Sequence, residues 1–255
     1  MLLKLKQIAF YIICLISKKF YFSKLKSQNN NSESEYINSI DKYLKQKRYF
    51  EIGFSFMEFN CSNLLKKNFK GYLIDVNKKD CIIIWLLNKV HNLNLRVKNI
   101  LVDKINTKKI VENISGGIFS IDIDGNDYWI LKEVLKYNNS FEVIIVEYNA
   151  SFLDLNISVK YEKNFDRHKK HETGYYHGAS LNAFIKLLNL HGYCLIKTIG
   201  GLNAFFIKKE ILNENSLEEL SFQEAYQESE LRNMWSSTNA QQQYSKIKHL
   251  DFVEV

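Results

Sequence analysis

Short apolar segments alternate along the chain with longer segments whose apolar residues have helical spacing. The candidate strands are residues 49–53, 71–76, 95–102, 118–123, 143–148, 193–198 and 204–208. Each of the first five is followed by a segment that can form a helix, clearest at 128–137, and helical spacing recurs at 180–191. This alternation is typical of a parallel α/β sheet, in which strands buried on both faces form continuous apolar runs.

The last two candidate strands are separated by only five residues, 199–203, so they are predicted to form a hairpin. Right-handed crossovers leave few ways to wind five β/α units closed by a hairpin. We therefore predict a Rossmann-like α/β domain, with a mostly parallel seven-stranded sheet, a C-terminal β-hairpin and helices on both faces.

Changes in composition divide the rest of the chain. Residues 1–26 are basic and apolar, and residues 27–35 (SQNNNSESE) form a polar stretch that we interpret as a flexible linker. The α/β domain is expected to span 36–210. Residues 211–255 are interpreted as a helical extension, with a surface helix over 216–235.

The first segment contains a nine-residue apolar run, 8–16, with lysines on both sides. A membrane-spanning helix needs about 20 apolar residues, so this run is too short, and no A-x-A-like cleavage site follows it. Three interpretations stay open. The segment is an interfacial helix on an anionic membrane surface, an extra helix that covers the domain, or an unusual signal sequence, and we favour the last two over the first.

Net charge and cysteine usage limit the environment and partners. The net charge is +7, but the lysines are scattered in short groups, so no nucleic-acid partner is expected. Cys14, Cys61, Cys81 and Cys194 are far apart and form no C-x-x-C pair. They are expected to be reduced thiols in a cytoplasmic protein. In the interfacial-helix interpretation, residues 1–26 also make peripheral contact with a membrane.

Ligands of open α/β sheets bind outside the carboxyl ends of the strands. Glu51 and Gly53 end the first strand, and Asp75 ends the second, where an acidic residue commonly holds the ribose of a nucleoside cofactor. A single glycine and the nearby Glu58 disfavour a dinucleotide. The candidate cofactor-binding residues are Glu51, Gly53, Ser55, Asp75, Asp103 and Asp122. The alternative is that Glu51 and Asp75 only cap the following helices.

Carboxylates are concentrated after the fourth strand, at Asp122, Asp124 and Asp127. Such a cluster is tolerated when a cation or bound donors neutralise it. Asp124, Glu147 and Asn149 are candidate oxygen ligands for Mg²⁺, which would lower the pKa of a substrate hydroxyl. In the alternative, the aspartates are turn and N-cap residues and Glu147 pairs with a lysine.

Three histidines, His168, His171 and His177, lie in a polar loop after the fifth strand. A histidine can accept a hydroxyl proton near neutral pH, and His177 is the first to test as a base. The catalytic candidates are therefore Asp122, Asp124 and His177.

Six stretches in this order resemble the FkbM-like group of class I S-adenosylmethionine-dependent methyltransferases. They are 51–53 (EIG), 71–75 (GYLID), 120–129 (SIDIDGNDYW), 146–150 (VEYNA), 178–181 (GASL) and 203–207 (NAFFI), of which 120–129 and 146–150 are specific. The resemblance implies methyl transfer from S-adenosylmethionine to an oxygen of a sugar, glycan or small molecule. It also implies that Glu51 and Gly53 contact the methionine part of the cofactor, that Asp75 contacts its ribose, and that Asp122 and Asp124 face the reacting centre.

The first loop departs from that group, whose members usually have another glycine there. This chain has Phe54, Phe56 and Met57 instead, and bulky residues narrow a cofactor pocket. Two alternatives to the methyltransferase follow from the residues. One is a metal-dependent glycosyltransferase that uses Asp122 and Asp124 as a D-x-D motif, and the other is a catalytically inactive binding module with a methyltransferase fold.

Overall fold

The computed structural model describes residues 2–255. The strands are β1 (Arg48–Ile52), β2 (Lys70–Asp75), β3 (Leu95–Asn99), β4 (Ile118–Ile121), β5 (Val143–Glu147), β6 (Ile157–Val159), β7 (Tyr193–Ile199), β8 (Asn203–Lys208) and β9 (Phe252–Glu254). The helices are α1 (Leu2–Ile16), α2 (Lys18–Lys24), α3 (Ser32–Ile40), α4 (Ser62–Lys66), α5 (Lys78–His91), α6 (Thr107–Val111), α7 (Asp127–Tyr137), α8 (Arg167–Lys170), α9 (Leu181–Leu190), α10 (Lys209–Glu214), α11 (Phe222–Ala225), α12 (Glu230–Ser236) and α13 (Ala240–Ile247). None of the helices within residues 2–255 combines the length and the apolar character needed to cross a membrane.

The strand order of the seven-stranded sheet is β3-β2-β1-β4-β5-β8-β7. The pairs β1–β2, β2–β3 and β4–β5 are parallel, whereas β8 is antiparallel to both β5 and β7. The predicted class, a mostly parallel seven-stranded sheet with a C-terminal hairpin, is confirmed. Each of the seven predicted strands is present.

The chain divides into two compact units. Unit 1 consists of Met1–Lys42 and Gln46–Leu101, and unit 2 of Tyr43–Lys45 and Val102–Val255. Each is described separately.

The core of unit 1 forms around β1, β2 and the apolar face of α5. Ile52, Leu73 and Ile84 are almost fully buried. Gly71 on β2 is required by close packing, because a Cβ atom there would lie 2.3 Å from the hydroxyl of Tyr49 and 2.7 Å from Leu95 Cδ1. The predicted alternation of strand and helix is therefore fixed by side chains that fill a dense interior.

Helices α1 and α2 cover part of unit 1. Cys14 and Tyr21 are fully buried, α1 packs against α5, and the Tyr21 hydroxyl donates a hydrogen bond to the carbonyl of Phe56 at 3.1 Å. The expectation of a flexible linker at 27–35 is wrong, because α3 begins at Ser32 after a 3₁₀ turn. The polar side chains of this stretch are satisfied internally: the Ser34 amide donates to the Ser27 hydroxyl at 3.0 Å.

Unit 2 contains β4, β5, β7 and β8, whose apolar side chains are almost all buried. The predicted helix at 180–191 is confirmed as α9. It begins where the Ser180 side chain accepts the amide of Ala183, and its buried face includes Leu181 and Phe184.

The last 45 residues contain several short helices and the strand β9, which differs from the prediction. The single surface helix expected over 216–235 is wrong: α11 and α12 are separate, and Ser221 and Ser229 each cap a new helix. The short strands β6 and β9 form a second, antiparallel sheet that the pattern did not predict. Phe252 of β9 packs against Phe152 and Tyr176, with ring centroids 5.2 and 5.1 Å away.

Candidate functional site

The carboxyl end of β1 in unit 1 carries Glu51 and Gly53. The Glu51 carboxylate accepts the backbone amides of Asn60 at 2.7 Å and Cys61 at 3.0 Å, just before α4. Gly53 has φ 84°, a conformation that favours glycine, and its amide donates to the Ile74 carbonyl at 2.9 Å. Glu51 thus holds the turn that leads into α4 without capping the helix itself, and its contact with a cofactor stays a prediction.

Asp75, at the end of β2, is partly exposed. One carboxylate oxygen accepts the Phe54 amide at 3.0 Å and the other accepts the Asn77 amide at 2.5 Å. A carboxylate has about four acceptor positions, so these bonds leave acceptor capacity on the solvent side. Asp75 therefore combines a fixed orientation with the capacity to bind two ribose hydroxyls.

The loop after Gly53 is a compact turn. Ser55 and Glu58 exchange backbone hydrogen bonds of 3.0 and 3.1 Å, and Phe54 and Phe56 are each only 8% exposed. Lys26, just after α2, holds this turn in place. Its amide donates to the Met57 carbonyl, and its ammonium lies 2.8 Å from the Glu58 carboxylate. The two phenylalanines that depart from the family pattern are packed into unit 1.

A cavity of about 350 Å³ opens elsewhere in unit 1, beside α5 and β3. Its walls include Tyr72, Trp85, Lys89, Arg96 and Lys98. None of the predicted cofactor-binding residues lines it, so it offers no support for them.

Asp103 opens unit 2 shortly before α6. Its carboxylate accepts the amides of Ile105 and Asn106 at 3.0 and 2.9 Å and lies 3.0 Å from the Lys163 ammonium. Burial opposes ionisation, but these contacts outweigh it and lower the pKa of Asp103. The structure thus gives Asp103 a role in a turn, and its predicted contact with a cofactor is untested.

Asp122 and Glu147 form a carboxyl pair at the ends of β4 and β5. Burial, together with the charges of Glu147, Asp124 and Asp127, raises the pKa of Asp122 well above its ordinary value. Burial also disfavours the Glu147 carboxylate, but a hydrogen bond with His177 and the charges of His177 and Arg232 outweigh it and lower the pKa of Glu147 to about 2. The two carboxyls share a hydrogen bond, and the opposite pKa shifts favour the proton on Asp122 over Glu147.

Asp124 and Asp127 have different roles. The Asp127 carboxylate accepts the amides of Ile123 at 2.7 Å and Gly125 at 2.9 Å at the start of α7. Its burial raises its pKa to about 7. Asp124 is exposed, has φ 56°, and is paired with Arg167 at 2.5 Å. The turn interpretation fits Asp127, whereas Asp124 faces solvent with a guanidinium beside it.

His177 is 1% exposed and lies between a carbonyl, a carboxylate and a guanidinium. Its Nδ1 is 3.1 Å from the Gly174 carbonyl, which can only accept, so we assign the proton to Nδ1. Nε2 then carries the lone pair, 3.3 Å from Arg232 Nη2 and 3.9 Å from Glu147 Oε1. In this tautomer Nε2 is the acceptor of the predicted base, and in the structure it accepts from Arg232 Nη2.

Arg232 of α12 is the functional candidate that the sequence analysis missed. Its Nη1 donates to Asn149 Oδ1 at 2.8 Å and lies 3.3 Å from the Ser151 hydroxyl, while Nη2 contacts His177. The chain has only four arginines among 35 basic residues, and two of them, Arg167 and Arg232, contact this cluster. The rarity of arginine was the signal available in the sequence. Only the planar guanidinium of arginine can donate to several fixed groups at once, so an arginine in a lysine-rich chain indicates a site that needs it.

The predicted metal ligands are only partly brought together. Asp124, Glu147 and His177 offer ligand atoms within 4.8 Å of one another. The Asn149 amide, however, is occupied: its nitrogen donates to the carbonyls of Tyr175 and His177, and its oxygen accepts from Arg232. Arg167 and Arg232 already supply positive charge beside the carboxylates. These residues fit a cluster neutralised by guanidinium groups better than a Mg²⁺ site.

Strand order decides the fold family, because the central parallel strands run 3-2-1-4-5 and an antiparallel hairpin closes the sheet. This chain has the class I methyltransferase fold. Solved structures similar to it include an S-adenosylmethionine-dependent methyltransferase from Clostridium acetobutylicum, with 13% identity over 69% of this chain and 90% of that chain and a TM-score of 0.44. Another is a putative O-methyltransferase from Klebsiella pneumoniae, with 11% identity, coverage of 70% and 80%, and a TM-score of 0.42.

Sequence comparison adds little to the class I methyltransferase fold. No protein-family model matches the chain. One curated protein, the Fe/S biogenesis protein NfuA of Wigglesworthia glossinidia brevipalpis, is 33% identical over 132 residues, which cover 48% of this chain and 69% of that protein. Iron–sulfur clusters are held by cysteine thiolates. The four cysteines here are buried, and none of them belongs to the metal-ligand group found among residues 2–255.

Proposed function

We propose that this protein is an S-adenosylmethionine-dependent methyltransferase of the FkbM-like group, which methylates a hydroxyl oxygen of a glycan or small molecule. One observation carries the proposal. The two stretches that resemble that group most specifically, 120–129 and 146–150, supply Asp122 and Glu147, the hydrogen-bonded carboxyl pair of a single cluster. Neighbouring carboxyls whose pKa values are shifted in opposite directions are characteristic of reactive sites.

Unit 1 provides the cofactor contacts in this proposal. The oriented carboxylate of Asp75 accepts both ribose hydroxyls, and Gly53 leaves room for the methionine part because it has no Cβ. The chain offers no glycine-rich turn for a pyrophosphate after β1, in agreement with a cofactor that has none.

Unit 2 provides the acceptor contacts. An acceptor hydroxyl would bind in place of Arg232 Nη2 beside His177 Nε2, and that nitrogen would accept its proton. S-adenosylmethionine would supply the methyl group from its sulfonium, with a neutral thioether as the leaving group. The nearby Glu147 carboxylate stabilises the imidazolium formed. Correct positioning of the two reactants contributes roughly 7–11 kcal/mol to lowering the barrier.

Calorimetric titration with S-adenosylmethionine tests the cofactor assignment. The wild type is expected to bind one equivalent. Asp75→Ala is expected to bind at least roughly 100-fold more weakly, because it loses two hydrogen bonds to a charged group at about 1.5–3 kcal/mol each. Asp154→Ala is the matched control, since Asp154 is an exposed aspartate outside the cluster. Equal affinity of Asp75→Ala and wild type would remove the ribose assignment.

One observation favours a second candidate, a binding module without methyl transfer. The turn after β1 is closed by the buried Phe54 and Phe56 and is held by Lys26. The same titration separates the two functions, because the binding module would give no heat with S-adenosylmethionine at millimolar concentration.

A further inference from the structure

Helix α1 exposes a continuous aliphatic face. Leu5, Ile8, Ile12 and Ile16 are 54%, 53%, 48% and 79% exposed, and Ile13 beside them is 44% exposed. The first four occupy positions i, i+3, i+7 and i+11, which lie on one side of a helix. We call these five residues the α1 apolar face.

The opposite side of α1 is the one that packs on unit 1. Cys14 is fully buried, and its carbonyl lies 2.7 Å from His91 Nε2 at the end of α5. Lys18 then reaches back to the His91 carbonyl at 3.4 Å. Because α1 is held through this side, the apolar face is directed away from the interior of unit 1.

The charge around the α1 apolar face has a single sign. Residues 1–32 contain six lysines and no aspartate or glutamate. Lys6, Lys18, Lys19 and Lys24 are exposed, and the partly buried Phe20 and Phe22 lie between them. Lysines near an anionic lipid surface each contribute about 1 kcal/mol of attraction.

We propose that α1 and α2 form a peripheral docking surface for an anionic phospholipid membrane. The α1 apolar face is buried at the boundary between headgroups and acyl chains, and the lysines contact the lipid phosphates. A protein partner is disfavoured because lysine is depleted in protein interfaces, whereas an aliphatic face flanked by lysine is the pattern of an interfacial helix. The proposal does not depend on the methyltransferase assignment.

Vesicle co-sedimentation of the full chain tests the proposal. Vesicles of phosphatidylcholine alone are compared with vesicles that also contain phosphatidylglycerol, and binding is expected only to the second. The double variant Ile8→Gln/Ile12→Gln should bind roughly 100-fold more weakly, because each isoleucine is about half exposed in the free protein and burying that half contributes about 1.4 kcal/mol. The double variant Lys18→Gln/Lys19→Gln should bind roughly 30-fold more weakly, from two lysine contributions.

Two matched controls isolate the effect of position from that of composition. Leu190→Gln removes an 80% exposed aliphatic residue from α9, and Lys108→Gln/Lys109→Gln removes an exposed lysine pair from α6. Both should bind the anionic vesicles like the wild type, and circular dichroism should show that all four variants stay folded.

Three results would overturn the proposal. They are absence of wild-type binding to the anionic vesicles, equal binding by Ile8→Gln/Ile12→Gln, or a wild-type dimer that this variant converts to a monomer while no vesicle is bound. The last result would make the α1 apolar face an interface between copies of the chain.

Discussion

At the scale of single residues, the cluster after β4 and β5 is governed by which carboxyl carries a proton. A hydrogen bond with His177 and the charges of His177 and Arg232 outweigh burial and lower the pKa of Glu147, whereas burial and the charge of Glu147 raise the pKa of Asp122. The Asp122–Asp127 motif was visible in the sequence. Arg232 was not, because it lies 83 residues beyond Asn149 in a segment with weak periodicity, and only folding brings it to Asn149 and His177.

Substituting Asp122→Asn should make stability less dependent on pH. A raised pKa in the folded state means that the stability contributed by Asp122 is fully present at low pH and is lost as the pH rises through the folded pKa. The variant is neutral at every pH and still donates to Glu147. Urea unfolding from pH 5 to 9 should show the wild type losing free energy of unfolding with rising pH, and the variant losing less.

Asp127, with a pKa of about 7, titrates in the same pH range in both proteins, so the difference between the two profiles isolates the contribution of Asp122. Parallel profiles for the two proteins would show that Asp122 is ionised in the folded state.

Substituting Arg232→Gln should destabilise the protein by roughly 1–3 kcal/mol, because the Glu147 carboxylate loses its neutralising charge and three acceptors lose a donor. Arg232→Lys keeps the charge but not the fork, so it should recover only part of that loss. Chemical denaturation measures both variants. Wild-type stability in Arg232→Gln would mean that the guanidinium does not organise the cluster.

At the scale of elements, the main strands were predictable because their apolar runs are long and buried. The strands β6 and β9 were missed because each has three residues and pairs only through a distant part of the chain. The stretch 27–35 was misinterpreted for a different reason. Its polar composition is like that of a linker. Ser27 and Ser34 are nevertheless buried and hydrogen-bonded to each other, which depends on packing that composition does not reveal.

The close packing of β2 provides a test at this scale. Gly71→Ala should lower the free energy of unfolding by roughly 1–3 kcal/mol, because the new Cβ would overlap Tyr49 and Leu95 on the neighbouring strands. Gly192→Ala is the comparison: its Cβ would meet open space, and only the φ of 79° opposes it. Thermal unfolding should show a larger fall in melting temperature for Gly71→Ala than for Gly192→Ala. The reverse order would contradict the close packing around β2.

At the scale of the whole molecule, the α/β winding could be predicted from the sequence, and strand order confirms it. Cofactor contact could not be predicted to the same depth, because a carboxylate after a strand serves equally as a cap or as a ligand acceptor. Each of Glu51, Asp75 and Asp103 accepts two backbone amides, but Glu51 and Asp103 are buried whereas Asp75 is partly exposed. Asp75 is therefore the carboxylate on which the cofactor assignment depends.

A crystal structure of the protein with S-adenosylhomocysteine tests this assignment most directly, through the distances from the Asp75 carboxylate to the two ribose hydroxyls. Both distances are expected to be about 2.5–3.0 Å, the range of an O–H···O hydrogen bond. A nucleoside bound elsewhere, such as in the cavity beside Trp85, or no nucleoside bound at millimolar concentration, would contradict it.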